Sequence, residues 1–303
     1  MIKSFSLLVL LLYYFTFNLK AQDDLLKILE DSLPGQQQEL VTGTFKSTRI
    51  INGHSVELRE AGVLDFLISH RFGRLNSGAY HFFGLDEANI RLGLEYGLTS
   101  RLNIGIGRSS FQKTFDGFLK YRILSQKSDN SIPISLVAYT SMAINSLRMP
   151  DETIDPPFSS RLYYTWQLLL GRKFNSNFSM QITPTIIHRN MVSRSFENND
   201  LYAVGIGGRH KISPRVSVNG EYFYQINQNV EILNYNSISL GVDIETGGHV
   251  FQLHITNSRA MIEKGFIAET TGNFWNGDIH FGFNISRVFQ LKAGNRITDS
   301  LLD

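Results

Sequence analysis

The sequence predicts an all-β fold: a single transmembrane antiparallel up-and-down β-barrel of about twelve strands, fourteen at most, preceded by a short N-terminal helix. Three observations lead there. Apolar and polar residues alternate with period two over most of the chain, the signature of strands with two different faces. Tight turns alternate with longer connections, as in barrels that have short periplasmic turns and long external loops. Aromatic residues gather at both ends of the strands on the apolar face, where a bilayer has its two interfaces.

The first 21 residues have Lys3 near the start, an apolar stretch from Phe5 to Phe17, and Ala21 just before Gln22. This is the layout of a secretory signal peptide cut after Ala21, although Leu19 stands where a small residue is usual. A spanning helix is the alternative, but the uncharged stretch Ser4–Leu19 falls short of the roughly 20 apolar residues a span needs. No later run of apolar side chains exceeds four, so nothing downstream can cross a bilayer as a helix. A closed barrel is the other structure that pairs all its backbone groups internally.

The 303 residues carry a formal charge of +2, and removing Lys3 and Lys20 with the leader leaves zero. A chain with no basic surplus gives no reason to expect a nucleic-acid partner. There is no cysteine, which removes disulfides and an N-terminal lipid anchor from consideration.

The organisation then reads as leader (1–21), helix and linker (22–43, periplasmic or a plug), barrel (44–289) and tail (290–303). Asp23 to Leu33 is helical, with leucines 25, 26, 29 and 33 on one side and Pro34-Gly35 as a stop. Thr44 to Ile51 is β-like and is taken as an N-terminal extension. Strands follow near 62–72, 87–97, 101–109, 114–124, 132–144, 160–174, 178–190, 200–212, 216–226, 235–246, 249–257 and 277–289. The clearest is the stretch from Ala88 to Leu98, where Ile90, Leu92, Leu94 and Tyr96 alternate with Asn89, Arg91, Gly93 and Glu95.

A secreted soluble sandwich would also alternate. It would not need two aromatic girdles, here Phe72, Phe115, Tyr164, Trp166, Tyr202, Tyr222 and Tyr224 toward the long loops, and Tyr96, Phe174, Phe178, Phe251 and Phe289 toward the short turns. Nor could a dry core hold the charges of the opposite face, which include Asp65, Arg91, Glu95, Asp116, Lys120, Arg122, Arg161, Lys173, Arg209, Glu221 and Asp243. These residues, with His254, Asp278 and His280, are the expected lining of a polar lumen.

The stretches Ile51-Asn52-Gly53-His54-Ser55-Val56-Glu57, Phe66 to Arg74 and Gly277 to Asn284 resemble a family of outer-membrane β-barrels of Gram-negative bacteria, classed only as a domain of unknown function. The resemblance covers nearly all of the mature chain. It implies a barrel and an outer-membrane location, and brings no activity with it. The last strand, with Ile279, Phe281, Phe283, Ile285 and Phe289, also resembles the signal read by the outer-membrane assembly machinery, though this chain runs on to Asp303.

Candidate chemistry is sparse. Gly105-Ile106-Gly107 and Gly205-Ile206-Gly207-Gly208 lie within strands and open no helix, so they read as small lumen-facing residues rather than phosphate loops. His254 with Thr256 has the spacing of an outer-membrane phospholipase pair, but parity puts both on the lumen face, and threonine replaces serine. No cofactor is implied, and the histidines lack the spacing of a metal site. Phe82, Phe83, Phe266 and Trp275 make two long loops unusually apolar; they either fold over the barrel or form a mouth for an apolar ligand. The expected function is passage or binding of a small solute through a polar lumen; a lipid hydrolase and a non-transporting structural or adhesin barrel are the alternatives.

Overall fold

The computed structural model describes residues 39–148, 156–192, 197–228 and 234–291. The leader, the helix Asp23–Leu33 and most of the tail lie outside the described residues.

Twelve strands form one closed antiparallel barrel. They are β1 (Val63–Arg74), β2 (Ala88–Gly97), β3 (Leu102–Ser109), β4 (Phe115–Leu124), β5 (Ser135–Ile144), β6 (Leu162–Lys173), β7 (Phe178–Arg189), β8 (Asp200–Lys211), β9 (Val216–Gln225), β10 (Ser237–Thr246), β11 (His249–Thr256) and β12 (His280–Gln290). Each pairs with its sequence neighbours, and β12 closes on β1 with Val63 opposite Gln290. β5 starts three residues later than its alternation suggests because Pro133 has no N–H for the ladder. β12 starts at His280 because Gly277, at φ +81°, ends a turn there.

Burial alternates along the strands. Leu92, Leu94 and Ile106 are exposed on the outer face, whereas Arg91, Glu95 and Asn103 are buried inside. All twelve girdle aromatics are exposed or half-exposed. A surface apolar outside and charged inside inverts the usual order of a water-soluble protein and fits a hydrocarbon surround.

The segment from Thr44 to Leu58 corrects the reading of Thr44–Ile51 as a β-like extension of the barrel. It forms a hairpin inside the lumen, with Arg49 paired to His54, Ile50 N–H bonded to the Gly53 carbonyl and Ser55 N–H to that of Thr48. Once β1 and β12 have paired, the barrel has no free edge, so an extra β-like segment can only go inside or outside the wall. The chain enters from the short-turn side, where Val41 N–H bonds Gln126 O and Ser128 N–H bonds Glu39 O. Phe45, Ile50, Val56 and Leu58 then pack on Phe118, Val137, Tyr139 and Leu169 of the wall.

A second piece fills the lumen from the other end. The long β11–β12 connection turns inward, and its helix α1 (Glu263–Ala268) is wholly buried. Phe266, Ile267 and Ala268 pack on Ile187, Leu201, Ala203 and Phe223. The lumen-facing glycines make room for these contents: a Cβ at Gly207 would meet Ile50 Cδ1 at 2.4 Å, and one at Gly171 would meet Val56 Cγ2 at 2.7 Å.

Candidate functional site: a lumen closed by its own chain

The inward charges of the wall hold the main chain of the hairpin. Asn52-Gly53 makes the tip, and three successive N–H groups there, of Ile51, Asn52 and Gly53, donate to the Glu221 carboxylate at 3.2, 2.8 and 3.1 Å. Such a run of converging N–H groups is an anion nest, and here its anion is part of the wall. Arg71 Nη2 donates to Asn52 Oδ1 at 2.7 Å, and Arg209 Nη1 donates to the Gly43 and Thr44 carbonyls. Lys120 donates to Glu57 O at 2.6 Å, and Gln181 accepts from Val56 N and donates to His54 O. On β12, Asn284 donates to Ile51 O at 3.0 Å.

Of the remaining inward charges, Asp65 accepts from Arg59 of the segment before β1, Lys173 donates to Thr42 O, and others pair within the wall. Arg91 bonds Asp116, and Lys120 lies 3.7 Å from Glu95, which also accepts from Asn103. Asp243 accepts from Gln252 at 2.6 Å. Arg122 is half-buried near the short-turn rim. Arg161 lies outside the strands, at the end of a 3-10 turn, and donates to Leu147 O. Asp278 also lies in a connection, accepting from Asn76 and from Asn273 N, with Arg74 at 3.3 Å. These three contacts hold its carboxyl below the usual range, the hydrogen bonds from Asn76 and Asn273 contributing most.

His254 is buried in the lumen with Nε2 3.0 Å from Arg71 Nη2. Thr256 Oγ1 accepts from Ser239 Oγ and Ser258 N. Neither side chain reaches the lipid face, where a lipid hydrolase would need them. His280, whose Nδ1 lies 2.8 Å from Phe72 O, stands opposite Thr256 in the register, and His254 stands opposite Gly282. Among the described residues no group of three His, Asp or Glu is placed to hold a metal ion.

The two fillings meet. Glu263 of α1 brings Oε1 to 3.6 Å from His54 Nε2 and 3.7 Å from Arg49 Nη1 at the hairpin tip. Burial, reinforced by Arg49, Lys120 and Arg91, pushes the His54 imidazole well below its ordinary value. Burial pushes the Glu263 carboxyl up, against the pull of Arg49. Arg71 ties the same region to the wall by donating to the Ser258 and Ala260 carbonyls.

Above α1, toward the long loops, a vestibule of about 730 Å³ remains. Arg74, Glu87, Tyr163, Arg189, Arg259 and Glu269 line it. Its charges are matched: Arg189 with Glu197, Arg259 with Glu87 and Lys264 with Glu269, at 3.3, 3.3 and 2.9 Å. Of the apolar loop residues, Phe266 goes into the lumen, while Phe82, Phe83 and Trp275 stay exposed, Trp275 at 83%. The hairpin residues Arg49, Asn52 and His54 were not among the expected site residues, although Asn-Gly after a β-like run is a strong hairpin signal.

The model of the family described as "Membrane bound beta barrel domain (DUF5777)" matches residues 45–289, and the chain belongs to this family. No curated protein matches the chain. Among solved structures, the chain is similar to the KdgM porin, at 8% identity and a TM-score of 0.45, covering 75% of this chain and 99% of that one. It is also similar to an outer membrane channel from Pseudomonas putida F1, at 14% identity and a TM-score of 0.44, covering 77% and 97%. For the outer membrane protein Omp33 of Acinetobacter baumannii the values are 7%, 0.41, 75% and 97%. The family and the lipid-facing girdles place the protein in the outer membrane, its barrel embedded in lipid.

Proposed function

We propose that the protein is a gated passage for a small polar solute across the outer membrane, shut in this state by its own hairpin and by the inward α1 loop. The observation that carries this reading is how the hairpin is held. Toward β8–β12 and β1 most of its polar contacts are hydrogen bonds between wall side chains and its main-chain atoms, groups that water can satisfy as well as protein can, beside the Lys46–Glu245 ion pair and the bonds of the Asn52 side chain to Arg71 and Ser239. A filling bonded this way leaves behind a wettable wall, not a bare apolar one. The matched charges of the vestibule favour neutral or zwitterionic solutes over strongly charged ones.

The test locks the hairpin to the wall. On the β8–β12 side, Lys46 of the hairpin meets the Glu245 carboxylate of β10. The chain has no cysteine of its own, so Lys46→Cys with Glu245→Cys supplies the only thiols, and a short bis-methanethiosulfonate cross-linker joins them reversibly. In planar bilayers the reduced double variant is expected to show discrete conductance steps, and the cross-linked one to be silent. Steps of equal frequency in both forms, or silence in the reduced form at verified insertion, would overturn the gate.

A further inference from the structure

Proline is rare within a sheet because it brings no N–H to the ladder. Pro184 nevertheless sits in the middle of β7, paired on one side with Val204 of β8. On its other side the β6–β7 register is constant from Tyr163–Arg189 to Lys173–Ser179, yet the rungs Leu168–Pro184 and Leu169–Thr183 drop out of it. The other two breaks in the barrel ladder, at Arg71/Arg74 and Arg122/Leu124, come with a register shift near a strand end. Only this one lies mid-strand with its register intact. The Leu168 carbonyl faces a residue with no proton to give, at a depth where no water can replace it. Among the described strands this is the line where the ladder is interrupted in mid-strand.

The outer side of the line is apolar. Outside runs a groove of about 700 Å³, lined by Trp166, Leu168, Pro184, Ile186, Tyr202 and Val204 among others. That volume lies in the roughly 300–1,000 Å³ range of small-molecule pockets. The groove reaches from Tyr121 near the short-turn rim to Tyr202 near the long-loop rim, so a chain lying in it finds a phenol at either end for its polar head. Inside, Gln167 donates to Thr185 across the line at 3.0 Å, and beside this pair Leu169 is fully buried in the dry patch that the wall shares with Ile50 and Val56 of the hairpin.

We infer that the β6–β7 seam at Pro184 is a lateral portal that takes a single-chain amphiphile of the fatty-acid class from the membrane side, through the outer groove toward this dry patch. The groove is continuous with the lipid-facing surface, so the ligand arrives without crossing water. The inference goes beyond the gated passage: it concerns the wall, and it stands whether or not the hairpin moves.

The chain carries its own reporter. Trp166 lies in the groove, and the only other tryptophan, Trp275, is in an exposed loop, so Trp275→Phe leaves one signal. The probe is stearic acid with a mid-chain nitroxide, in phosphatidylcholine vesicles, run beside phosphatidylcholine bearing the same label. The labelled fatty acid is expected to quench Trp166 to saturation at a mole fraction about tenfold below that of the labelled phospholipid. Pro184→Val returns an N–H to the Leu168 carbonyl and is expected to abolish that preference. A tryptophan at Ile106, in a second outer groove of about 610 Å³ over an unbroken ladder, in the Trp166→Phe/Trp275→Phe background, should show none. Equal quenching by both labels at Trp166 would mean ordinary lipid contact only and would overturn the portal. So would the same preference at Ile106, a control that needs no change at Pro184, or a preference that survives Pro184→Val.

Discussion

The two sides of the hairpin are held by different physics. Toward β4–β6 it packs mainly through apolar side chains, Phe45, Ile50, Val56 and Leu58 burying against Phe118, Val137, Tyr139 and Leu169, with Lys120 of β4 donating to Glu57 O beside them. Toward β8–β12 and β1 it is held by Arg209, Glu221, Asn284 and Arg71, almost all through main-chain atoms. Apolar packing loses its driving force as soon as water enters, whereas a hydrogen bond to the main chain can be exchanged for one to water at small net cost. The dry side is therefore an anchor and the polar side a release face. Opening by a swing about β4–β6 leaves most of the anchor intact and wets mainly groups that water can serve, with the Ile50 and Ile51 contacts to Gly207 and Gly241 as the apolar exceptions.

The largest effect should come from the anchor. Phe118→Ala removes a buried ring at its centre and is expected to cost about 3–5 kcal/mol in chemical denaturation, with loss of amide protection along residues 44–58. Because the swing has lost its pivot, conductance should become continuous rather than stepped. If Phe118→Ala leaves the protection of the hairpin unchanged, the anchor is elsewhere.

The release face should respond less and in a different way. Glu221→Gln keeps the shape of the side chain but removes the charge that three N–H groups share, at an expected cost of about 1–3 kcal/mol to hairpin docking. Openings should become more frequent with single steps unchanged in size, because the same swing is made easier and no new pore is created. A larger destabilisation by Glu221→Gln than by Phe118→Ala would reverse the assignment of anchor and release face.

Much of the barrel is legible in the sequence because a strand's two faces have opposite solvents. In Ala88–Leu98 each step of one residue changes lipid for lumen, and parity alone places Arg91 and Glu95 inside. Parity does not say what those inward charges bond to. The partners of Arg209 and Glu221 are main-chain atoms of residues 43–53, and main-chain atoms carry no sequence signal. Thr44–Ile51 looks like another strand for a related reason: packed between the wall's apolar patch and its polar face, it needs the same alternation a wall strand needs. Asn52-Gly53 announces a turn, but only the β1–β12 closure decides that the hairpin must lie within the barrel. The apolar character of the last loop is likewise readable, while the inward course of Phe266 depends on the groove between Ile187, Leu201 and Phe223, three residues from three strands.

The smallest effect, and the sharpest test of how the two fillings are joined, lies at the tip. His54 and Glu263 shift in opposite directions, so in the native protein their pH dependences oppose each other. Glu263→Gln isolates the histidine, for which burial first and then Arg49, Lys120 and Arg91 favour the neutral ring and outweigh the opposing hydrogen bond to the Thr48 main chain. A histidine whose folded pKa lies below its unfolded value of about 6.5 contributes stability that is present above that pH and lost as the pH falls below it. In the Glu263→Gln variant, docking of the hairpin should thus be constant from pH 8 to 7 and weaken below about 6.5, by up to about 1.4 kcal/mol per pH unit for one proton. Amide exchange of residues 49–55 measures this locally, without requiring the barrel to unfold. Adding His54→Phe should flatten the profile, since the ring then carries no proton and its place against Phe118 and Tyr139 stays filled. A profile that falls equally with and without His54 would place the titrating group elsewhere and separate the hairpin tip from the lid it touches.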